Sequence, residues 1–508
     1  MRGLAGTGLS QRHQWIVVFL GFFLVFGSWS FAAPYGGPAD EMQHVIRAVG
    51  VVRGQFAPAP AVVLDYKSRP GMGAYQDVPR GLLQDVGCFG LKPHVSAACA
   101  KPISGGPVGT VPTTAGRYNP LYYTLVGLPV SLSPSWSGLV GTRLISAALS
   151  AALLAFAFVA LSQWSRTGLM LAALIMVSTP MLAHLAGAVN PNGLEIAAGI
   201  ALFSAAVPLL LGPPSGRIGP LVWLAGVSAT ILATLRSLGP MWLFFVFAAL
   251  LPVSSRPRLR RLWSERAVRW WAAIIGAALV LALAWVVGMR TGNLVHQPAP
   301  LYGYSTQAAA FQYFNNWGGV YLDGLVGVAG WFDTFLPDPI YWIWLGLAGS
   351  LVVFAAVVGG WADRWRFLVL TFGAVGPIGA VQVAEVNNIG WIIGGRYVLP
   401  LLAGVPLLAA FILERRLLKA QHARAFIRLC CVTLLPVHLL LLLEAMSRWQ
   451  SGLSLAHLNP FRGDWHPPTT SYPPMLLMLA GLLVVGWAFW TAPARIAAQP
   501  ELDQQVEQ

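Results

Sequence analysis

Long apolar segments alternate with polar ones along almost the whole chain. A run of about 20 apolar residues is long enough to cross the hydrocarbon core of a bilayer as a helix. Such runs lie at roughly 14–33, 142–163, 167–188, 194–211, 219–236, 239–254, 270–290, 340–360, 367–384, 397–413, 426–446 and 474–492. The pattern predicts an all-α integral membrane protein with about twelve transmembrane helices, which form one polytopic membrane domain over residues 1–508.

The composition supports a membrane protein, and the basic residues set its orientation. Hydrophobic residues make up 56% of the chain and charged residues only 10%, which is too few to cover a soluble domain. The net charge is +14, and arginines gather at 256–269 and 414–428, on the side to which a twelve-span threading assigns both termini. Cytoplasmic loops collect Arg and Lys. This side is therefore predicted to be the cytoplasm, and nucleic acid is not an expected partner.

The polar segments of the opposite side are predicted to carry the chemistry. Residues 34–118 form a first outer loop and residues 291–339 a second one, whereas residues 493–508 are predicted to be a disordered cytoplasmic tail. The middles of the spans carry almost no charge, although ion-coupled transporters place charged groups there. This favours chemistry at the outer face, while helix breaks at Thr179-Pro180 and Gly239-Pro240 leave a transporter open.

The four cysteines fall into two pairs. Cys88 and Cys99 lie in the first outer loop, and Cys430 and Cys431 adjoin within an apolar run. If the loop faces an oxidising compartment, the first pair would close a disulfide that stabilises it by ~2–4 kcal/mol. The second pair is predicted to serve as ordinary packing.

The stretch GGPADEMQHVIRAVGVVRGQF, residues 36–56, stands directly behind the first apolar run. Its apolar residues recur at helical spacing, and the other face carries Asp40, His44 and Arg47. This predicts an amphipathic helix that lies on the outer membrane surface. In the simplest interpretation Asp40 caps the helix and Glu41 favours the positive end of its dipole. A metal site at Asp40 and His44 would have only two ligands, which is a weak signal.

Several motifs resemble those of known membrane enzymes. The D-E-x-x-H pattern at 40–44 resembles the first-loop motif of protein O-mannosyltransferases, and YNPLYYTLVGLP at 118–129 is similar to the end of the first loop in many GT-C glycosyltransferases. The stretch 38–48 (PxDExxHxxRA), GWFDTFLP at 330–337 and GRYVLP at 395–400 together resemble a bacterial family of polytopic membrane proteins of unknown function that is grouped with the GT-C enzymes.

The resemblance implies a GT-C-like fold and a glycosyltransferase of the bacterial inner membrane. The enzyme would move a sugar from a polyprenyl-phosphate donor to a glycan, lipid or protein acceptor at the periplasmic face, with inversion, and a divalent cation (Mg or Mn) is one option for a cofactor. Asp40 is predicted to be the base, with Glu41 second and His44 orienting them. The remaining predicted site residues are Arg396, Arg47, Arg236 and Tyr397 for the donor phosphate, and Asp333, Trp331 and Tyr122 for the sugar or acceptor.

Other interpretations stay open for these residues and for the whole protein. Arg396 would equally suit anchoring at the membrane interface, the loop aromatics an interfacial belt, and Asp333 a turn cap. The chain shows no Gly-rich phosphate loop, so a nucleotide-sugar donor is not expected. The two rivals to an enzyme are a lipid-linked saccharide transporter or flippase, and a non-catalytic glycolipid-binding protein of envelope assembly.

Overall fold

A computed structural model describes residues 10–64, 69–212, 218–295, 299–315, 321–391, 394–416, 419–453 and 458–497. Twenty α-helices occur in these ranges. The first ten are α1 (Gln11–Ala32), α2 (Glu41–Val52), α3 (Pro120–Val126), α4 (Leu128–Leu132), α5 (Trp136–Trp164), α6 (Leu169–Val177), α7 (Pro180–Ala186), α8 (Pro191–Leu211), α9 (Gly219–Leu235) and α10 (Gly239–Leu250). The others are α11 (Arg256–Ser264), α12 (Arg266–Gly288), α13 (Thr306–Asn315), α14 (Asp323–Val326), α15 (Asp338–Val358), α16 (Trp361–Ile389), α17 (Leu399–Leu402), α18 (Gly404–Arg416), α19 (Ala420–Ser451) and α20 (Tyr472–Ala497).

The prediction of an all-α membrane protein is confirmed, and nine of the twelve predicted runs correspond to helices of spanning length in the described ranges. Eight helices of the described ranges are long and apolar enough to cross a membrane, and the bent pair α6–α7 makes a ninth. The other three predicted runs form shorter helices, α9 with 17 residues, α10 with 12 and α18 with 13. At 1.5 Å per residue, twelve residues reach only about 18 Å into a core of about 30 Å.

Proline explains where two of the apolar runs break. The first break falls at Ser178 and Thr179, where α6 gives way to α7 with a bend of 58°, and Pro180 stands at the start of the second piece. A second break separates α9 from α10, and Pro240 again begins the new helix. Both breaks were predicted, because proline lacks the N–H that a helix interior needs and fits the first turn of the next helix.

The first outer loop folds into a small layer on top of the helices. Strands β1 (Pro60–Leu64), β2 (Pro70–Pro79) and β3 (Val108–Thr113) form an antiparallel sheet in the order β1-β2-β3. The helix α2 packs against β2, β3, α3 and α4. Short 3-10 turns at Arg80–Leu82, Val86–Cys88, Ala97–Cys99 and Thr114–Arg117 complete the layer.

The position of α2 differs from the sequence prediction. Instead of lying on the membrane surface, α2 is buried on nearly all sides, including its polar residues Glu41, His44 and Arg47. These polar groups meet protein partners rather than water. Glu41 pairs with Arg143 of α5, His44 is hydrogen bonded to Tyr123 of α3, and Arg47 donates to backbone carbonyls of the first outer loop. Helical periodicity identifies a polar face, but it does not distinguish water from a polar protein neighbour.

The second outer loop and the C-terminal segment complete the fold. The loop contains α13, α14 and a hairpin of β4 (Val328–Ala329) and β5 (Thr334–Phe335). A 3-10 turn at Gly395–Tyr397 leads into α17. Residues 493–497, expected to begin the tail, belong to α20, and residues 498–508 lie outside the described residues.

Candidate functional site

Asp40 stands at the junction between α1 and α2 in an uncommon backbone conformation. Its φ is 67°, in the left-handed region, and its side chain makes no capping hydrogen bond to α2. The side chain is 45% exposed and accepts a hydrogen bond from Nη2 of Arg396 at 3.0 Å. A non-glycine residue pays roughly 1–2 kcal/mol for a left-handed conformation. Such conformations collect at functional sites, where the surrounding structure holds them in place.

Glu41, the neighbouring acid, is placed differently. It is fully buried and paired with an equally buried Arg143, with Nε–Oε1 and Nη2–Oε2 distances of 2.7 and 2.5 Å. The backbone N–H groups of Gly36 and Val189 donate to the same carboxylate. Arg143 in turn donates to three carbonyls at the end of the first span, those of Ser30, Ala33 and Pro34. Glu41 therefore joins α1, α2, α5 and the segment before α8.

Two arginines stand close to Asp40, and both have an aromatic neighbour in common. The guanidinium of Arg396 lies 4.3 Å from the ring centroid of Phe332 and 4.9 Å from that of Tyr397, whose hydroxyl it also donates to. Arg236 lies 5.0 Å from the same Tyr397 ring. Arg396 is 4% exposed, and its Nε has no hydrogen-bond partner among the described residues. Arg396 thus keeps one buried N–H without a protein acceptor in the described ranges, beside its ion pair with Asp40.

Glu195 fixes the orientation of Arg236. Its buried carboxylate accepts from Nη1 of Arg236 at 3.0 Å, from Nε1 of Trp242 at 3.2 Å and from the amide of Asn192 at 3.1 Å. The cap of α8 is Asn190, whose side chain accepts from the N–H of Asn192. The carboxylate instead holds a guanidinium at the break between α9 and α10.

Asp40, Arg236 and Tyr397 border a polar cavity of about 330 Å³. Its lining consists of Asp40, Gln43, His44, Thr114, Ala115, Arg117, Tyr118, Asn119, Thr234, Arg236, Ser237, Ala282, Trp285, Val286, Thr291, Leu294 and Tyr397. Asp40 is the one carboxylate in this described lining. We call this volume the polar cavity.

His44 is neutral in the polar cavity. Burial lowers its pKa from 6.5 to about 3, against the opposing charge of Asp40 and with the help of the two arginines. Its Nδ1 is hydrogen bonded to the hydroxyl of Tyr123 at 2.8 Å. A neutral imidazole with one nitrogen engaged has its other nitrogen available for a single hydrogen bond, as donor or acceptor.

An apolar groove adjoins the polar cavity. It encloses about 510 Å³ and is lined from α3, α5, α8 and α9 by Leu121, Tyr122, Leu125, Leu149, Ala152, Leu153, Phe156, Leu194, Pro220, Trp223, Leu224, Val227, Ile231, Thr234 and Leu235. Several lining side chains are exposed, among them Leu125 at 53%, Phe156 at 50% and Trp223 at 61%. The groove is therefore open on the outside of the helix bundle, where hydrocarbon would surround it. Thr234 lines both the groove and the polar cavity.

Of the residues predicted for the site, Asp40, His44, Arg396, Arg236 and Tyr397 come together. Arg47 does not join them: it donates to the carbonyls of Gln55, Phe56 and Tyr118 and so ties α2 to the loop. Tyr122 lines the apolar groove, and its hydroxyl donates to Ser146 at 2.9 Å.

The hairpin motif GWFDTFLP supports the site from outside the cavity. Asp333 is buried and pairs with Arg448 at 2.7 Å, and its other oxygen accepts from the N–H of Trp331. The indole N–H of Trp331 donates to the carbonyl of Gly36, four residues before Asp40. Phe332, between them, lies against Arg396. The hairpin thus joins the two outer loops and supports the guanidinium.

A second connection holds the far part of the first loop. Cys88 and Cys99 are disulfide bonded, with Cα atoms 6.2 Å apart. Arg448 of α19 donates to the carbonyls of Phe89, Lys92 and Val95 within that closed loop. The loop is therefore attached both covalently and through one buried cation to the helix bundle.

Several residues of the site have no counterpart in the sequence-based prediction. Arg117 and Trp285 line the polar cavity without belonging to a motif, and Gln43, Tyr118 and Asn119 line it although the motifs at 38–48 and 118–129 that contain them did not mark them as site residues. Arg143 did carry a signal, because a lone arginine at the beginning of an apolar run needs a carboxylate partner. That partner is Glu41, which the sequence analysis had grouped with Asp40.

The donor set suits a divalent cation only in combination with a ligand. No cluster of three or more His, Cys, Asp or Glu side chains occurs in the described part of the chain. Mg²⁺ and similar ions use one or two carboxylates together with substrate phosphate oxygens. Asp40 fits the role of that carboxylate.

Comparisons with known proteins give a family and a distant likeness. A family model described as "Predicted membrane protein (DUF2142)" matches residues 23–405. The chain is similar to ArnT from Cupriavidus metallidurans bound to undecaprenyl phosphate, with a TM-score of 0.42, 13% identity, and coverage of 96% of this chain and 78% of that chain. Its apo state gives a TM-score of 0.39 with the same identity and coverage. A search of curated protein sequences found no match.

Proposed function

We propose that this chain, which belongs to the DUF2142 family of predicted membrane proteins, is a GT-C-type glycosyltransferase that uses a lipid-linked sugar donor. The donor would be a sugar carried on a polyprenyl phosphate. The acceptor would be a hydroxyl group of a glycan, lipid or protein at the outer face of the bacterial inner membrane, in the cell envelope.

The observation that carries the proposal is the meeting of two different environments at Thr234. On one side is an apolar groove between membrane-spanning helices, and on the other is a polar cavity whose described lining contains one carboxylate, Asp40, and two arginines, Arg117 and Arg236. A ligand that fits both must have a long hydrocarbon part and a charged head. A lipid phosphate has this composition, because guanidinium groups bind phosphate oxygens well and the groove accepts an apolar chain.

The geometry suggests a role for each group around Asp40. The carboxylate of Asp40 would take the proton of the acceptor hydroxyl as its oxygen attacks the anomeric carbon. The bond between that carbon and the phosphate oxygen would break, and its electron pair would leave with the phosphate. Arg396 and Arg236 would stabilise the negative charge that develops there. Attack opposite the phosphate inverts the anomeric configuration.

The neighbouring residues would position the reactants. His44 would give one hydrogen bond to the acceptor or to Asp40 as a neutral group. Tyr118 and Trp285, which line the polar cavity, would provide aromatic surface for a sugar ring. A divalent cation held by Asp40 and the donor phosphate would neutralise part of the phosphate charge. Glu41, Asp333 and Trp331 would act through the residues they hold rather than by contact with substrate.

The test is a transfer assay in membranes or nanodiscs with radiolabelled polyprenyl-phosphate sugars and envelope acceptors. Asp40→Asn should lower the rate about 10²–10⁴-fold while leaving the folded protein intact. Asp85→Asn is the matched control, because Asp85 is an exposed acid of the same loop and does not line the polar cavity. Transfer that persists in Asp40→Asn would remove Asp40 as the base. A wild type that moves a lipid-linked saccharide across vesicles without transferring sugar would favour a flippase.

A further inference from the structure

A group of exposed basic residues lies at the membrane face opposite the polar cavity. The helix α10 begins just after Arg236 and Ser237 of the cavity, and α12 ends beside the cavity residue Thr291. Both helices lead away from the cavity to α11, the short helix that connects their far ends. The segment 256–269 carries six arginines and one acid, Glu265.

Two of these arginines fix the segment in place. Arg258 donates through Nε and Nη2 to the carbonyl of Leu209, at 3.0 and 2.7 Å, and so satisfies the end of α8. Arg269 donates to the carbonyls of Trp263 and Ser264 and closes the junction between α11 and α12. The orientation of α11 is therefore set by hydrogen bonds to backbone groups.

The other four arginines point to solvent or head groups. Arg256, Arg260, Arg261 and Arg266 are all exposed, and none forms an ion pair with an acidic side chain in the described ranges. In a helix, positions 256 and 260 lie on one face, with 261 beside them. A surface on which four exposed arginines outnumber one acid, Glu265, suits an anionic partner.

Two exposed tryptophans indicate what kind of partner this is. Trp263 is 60% exposed and Trp270 is 59% exposed, at the end of α11 and the beginning of the membrane-spanning α12. Tryptophan at such a position belongs to the zone between head groups and hydrocarbon. Exposed arginines in the same zone lie at the level of lipid phosphates. Soluble polyanions would match the charge but would leave the two indoles in water.

We propose that α11 and the start of α12 form a binding surface for anionic phospholipid head groups of the leaflet opposite the polar cavity. The surface consists of Arg256, Arg260, Arg261 and Arg266, with Trp263 and Trp270 at its apolar border. Head-group phosphates accept hydrogen bonds from the guanidinium groups, and the indoles contact the acyl-chain region.

The experiment is native mass spectrometry of the full chain in neutral detergent, titrated with phosphatidylglycerol or with phosphatidylcholine. The wild type should retain phosphatidylglycerol in preference. The variant Arg256→Gln/Arg260→Gln/Arg261→Gln should weaken that binding by at least about tenfold, since each basic residue near an anionic surface contributes a severalfold effect. The control Arg53→Gln/Lys92→Gln/Lys101→Gln removes the same charge from exposed positions of the first outer loop and should bind as the wild type does.

Three results would overturn the proposal. In the first, the α11 variant would retain phosphatidylglycerol as well as the wild type does. In the second, the α11 variant and the loop control would lose phosphatidylglycerol equally, which would show that binding depends only on net charge. Alternatively, heparin, used as a soluble polyanion, would bind the wild type more tightly than phosphatidylglycerol does and would lose that binding in the α11 variant. Thermal unfolding of each variant in detergent separates a change in binding from a failure to fold.

Discussion

Asp40 and Arg396 form an ion pair at 3.0 Å although 356 residues separate them in the chain. The acid belongs to the first outer loop and the arginine to the turn before α17. Each belongs to a separate sequence motif, and the fold brings the two motifs into contact. Asp40 lines the polar cavity and its side chain is 45% exposed, so the carboxylate of the pair is accessible from that cavity.

The pair predicts opposite effects of two substitutions on phosphate binding. Arg396→Gln should weaken binding of a sugar-free polyprenyl phosphate by at least about tenfold, because a charge-assisted hydrogen bond is lost. With EDTA present, so that no divalent cation joins Asp40 to the phosphate, Asp40→Asn should leave this binding unchanged or tighten it, since the carboxylate competes with phosphate for the same guanidinium. Native mass spectrometry or calorimetry in detergent measures both, with Arg53→Gln as an exposed control. Weaker binding in Asp40→Asn would contradict the arrangement.

The neighbouring acid predicts a loss of stability instead. Glu41→Gln leaves the buried Arg143 without its countercharge, and breaking a buried ion pair in this way costs about 3–5 kcal/mol. Thermal unfolding in detergent should therefore show a strongly lowered Tm for Glu41→Gln and a nearly unchanged one for Asp40→Asn. The double variant Glu41→Met/Arg143→Met should recover part of the loss, because no uncompensated charge remains. Equal stability of the two single variants would show that the two acids have equivalent roles.

Filling the apolar groove should block the lipid part of a substrate. Ala152→Trp places an indole among the lining residues of α5 and should reduce both polyprenyl-phosphate binding and sugar transfer at least about tenfold by steric exclusion. Ala277→Trp, on an exposed face of α12 outside the groove, is the matched control. If both variants behave as the wild type in transfer assays, the groove is not the lipid site.

His44 predicts a dependence of stability on pH. Its pKa in the folded protein is about 3, against 6.5 in a solvated histidine. The unfolded chain therefore binds the proton more readily, and stability must fall as the pH decreases from 6.5 toward 3. At pH 5 this amounts to about 2 kcal/mol.

The measurement compares thermal unfolding at pH 7.5 and pH 5 for the wild type and for His44→Phe/Tyr123→Phe. The second substitution avoids leaving the hydroxyl of Tyr123 unpaired. The variant should lose less stability on acidification than the wild type. An identical acid response in both proteins would mean that His44 is solvated in the folded state.

The family and the membrane class could be predicted from local sequence, whereas the different roles of the site residues could not. The motifs at 38–48, 330–337 and 395–400 identified the family, and the family match over residues 23–405 confirms it. Apolar runs located the helices, but a run such as 239–254 did not reveal that α10 ends after only 12 residues. The break at Thr179-Pro180 was predicted correctly, because a proline interrupts a helix at its own position in the chain.

The different roles of Asp40 and Glu41 show why the arrangement of the site could not be predicted from the sequence. Two adjacent acids look equivalent in sequence, and their separation depends on Arg143 and Arg396, which come from distant parts of the chain. The same holds for Asp333, whose partner Arg448 lies at the end of α19. Long-range ion pairs of this kind depend on tertiary packing. A one-dimensional pattern contains the candidates but not their partners.

Because the apolar groove opens sideways, it determines how the concentration of a lipid substrate would have to be expressed. A molecule that enters between α3, α5 and α9 arrives by diffusion in the plane of the bilayer and does not pass through water. Its effective concentration is then a mole fraction of the surrounding lipid. Dilution with inert phospholipid would slow turnover at a fixed amount of substrate, whereas dilution with buffer would not.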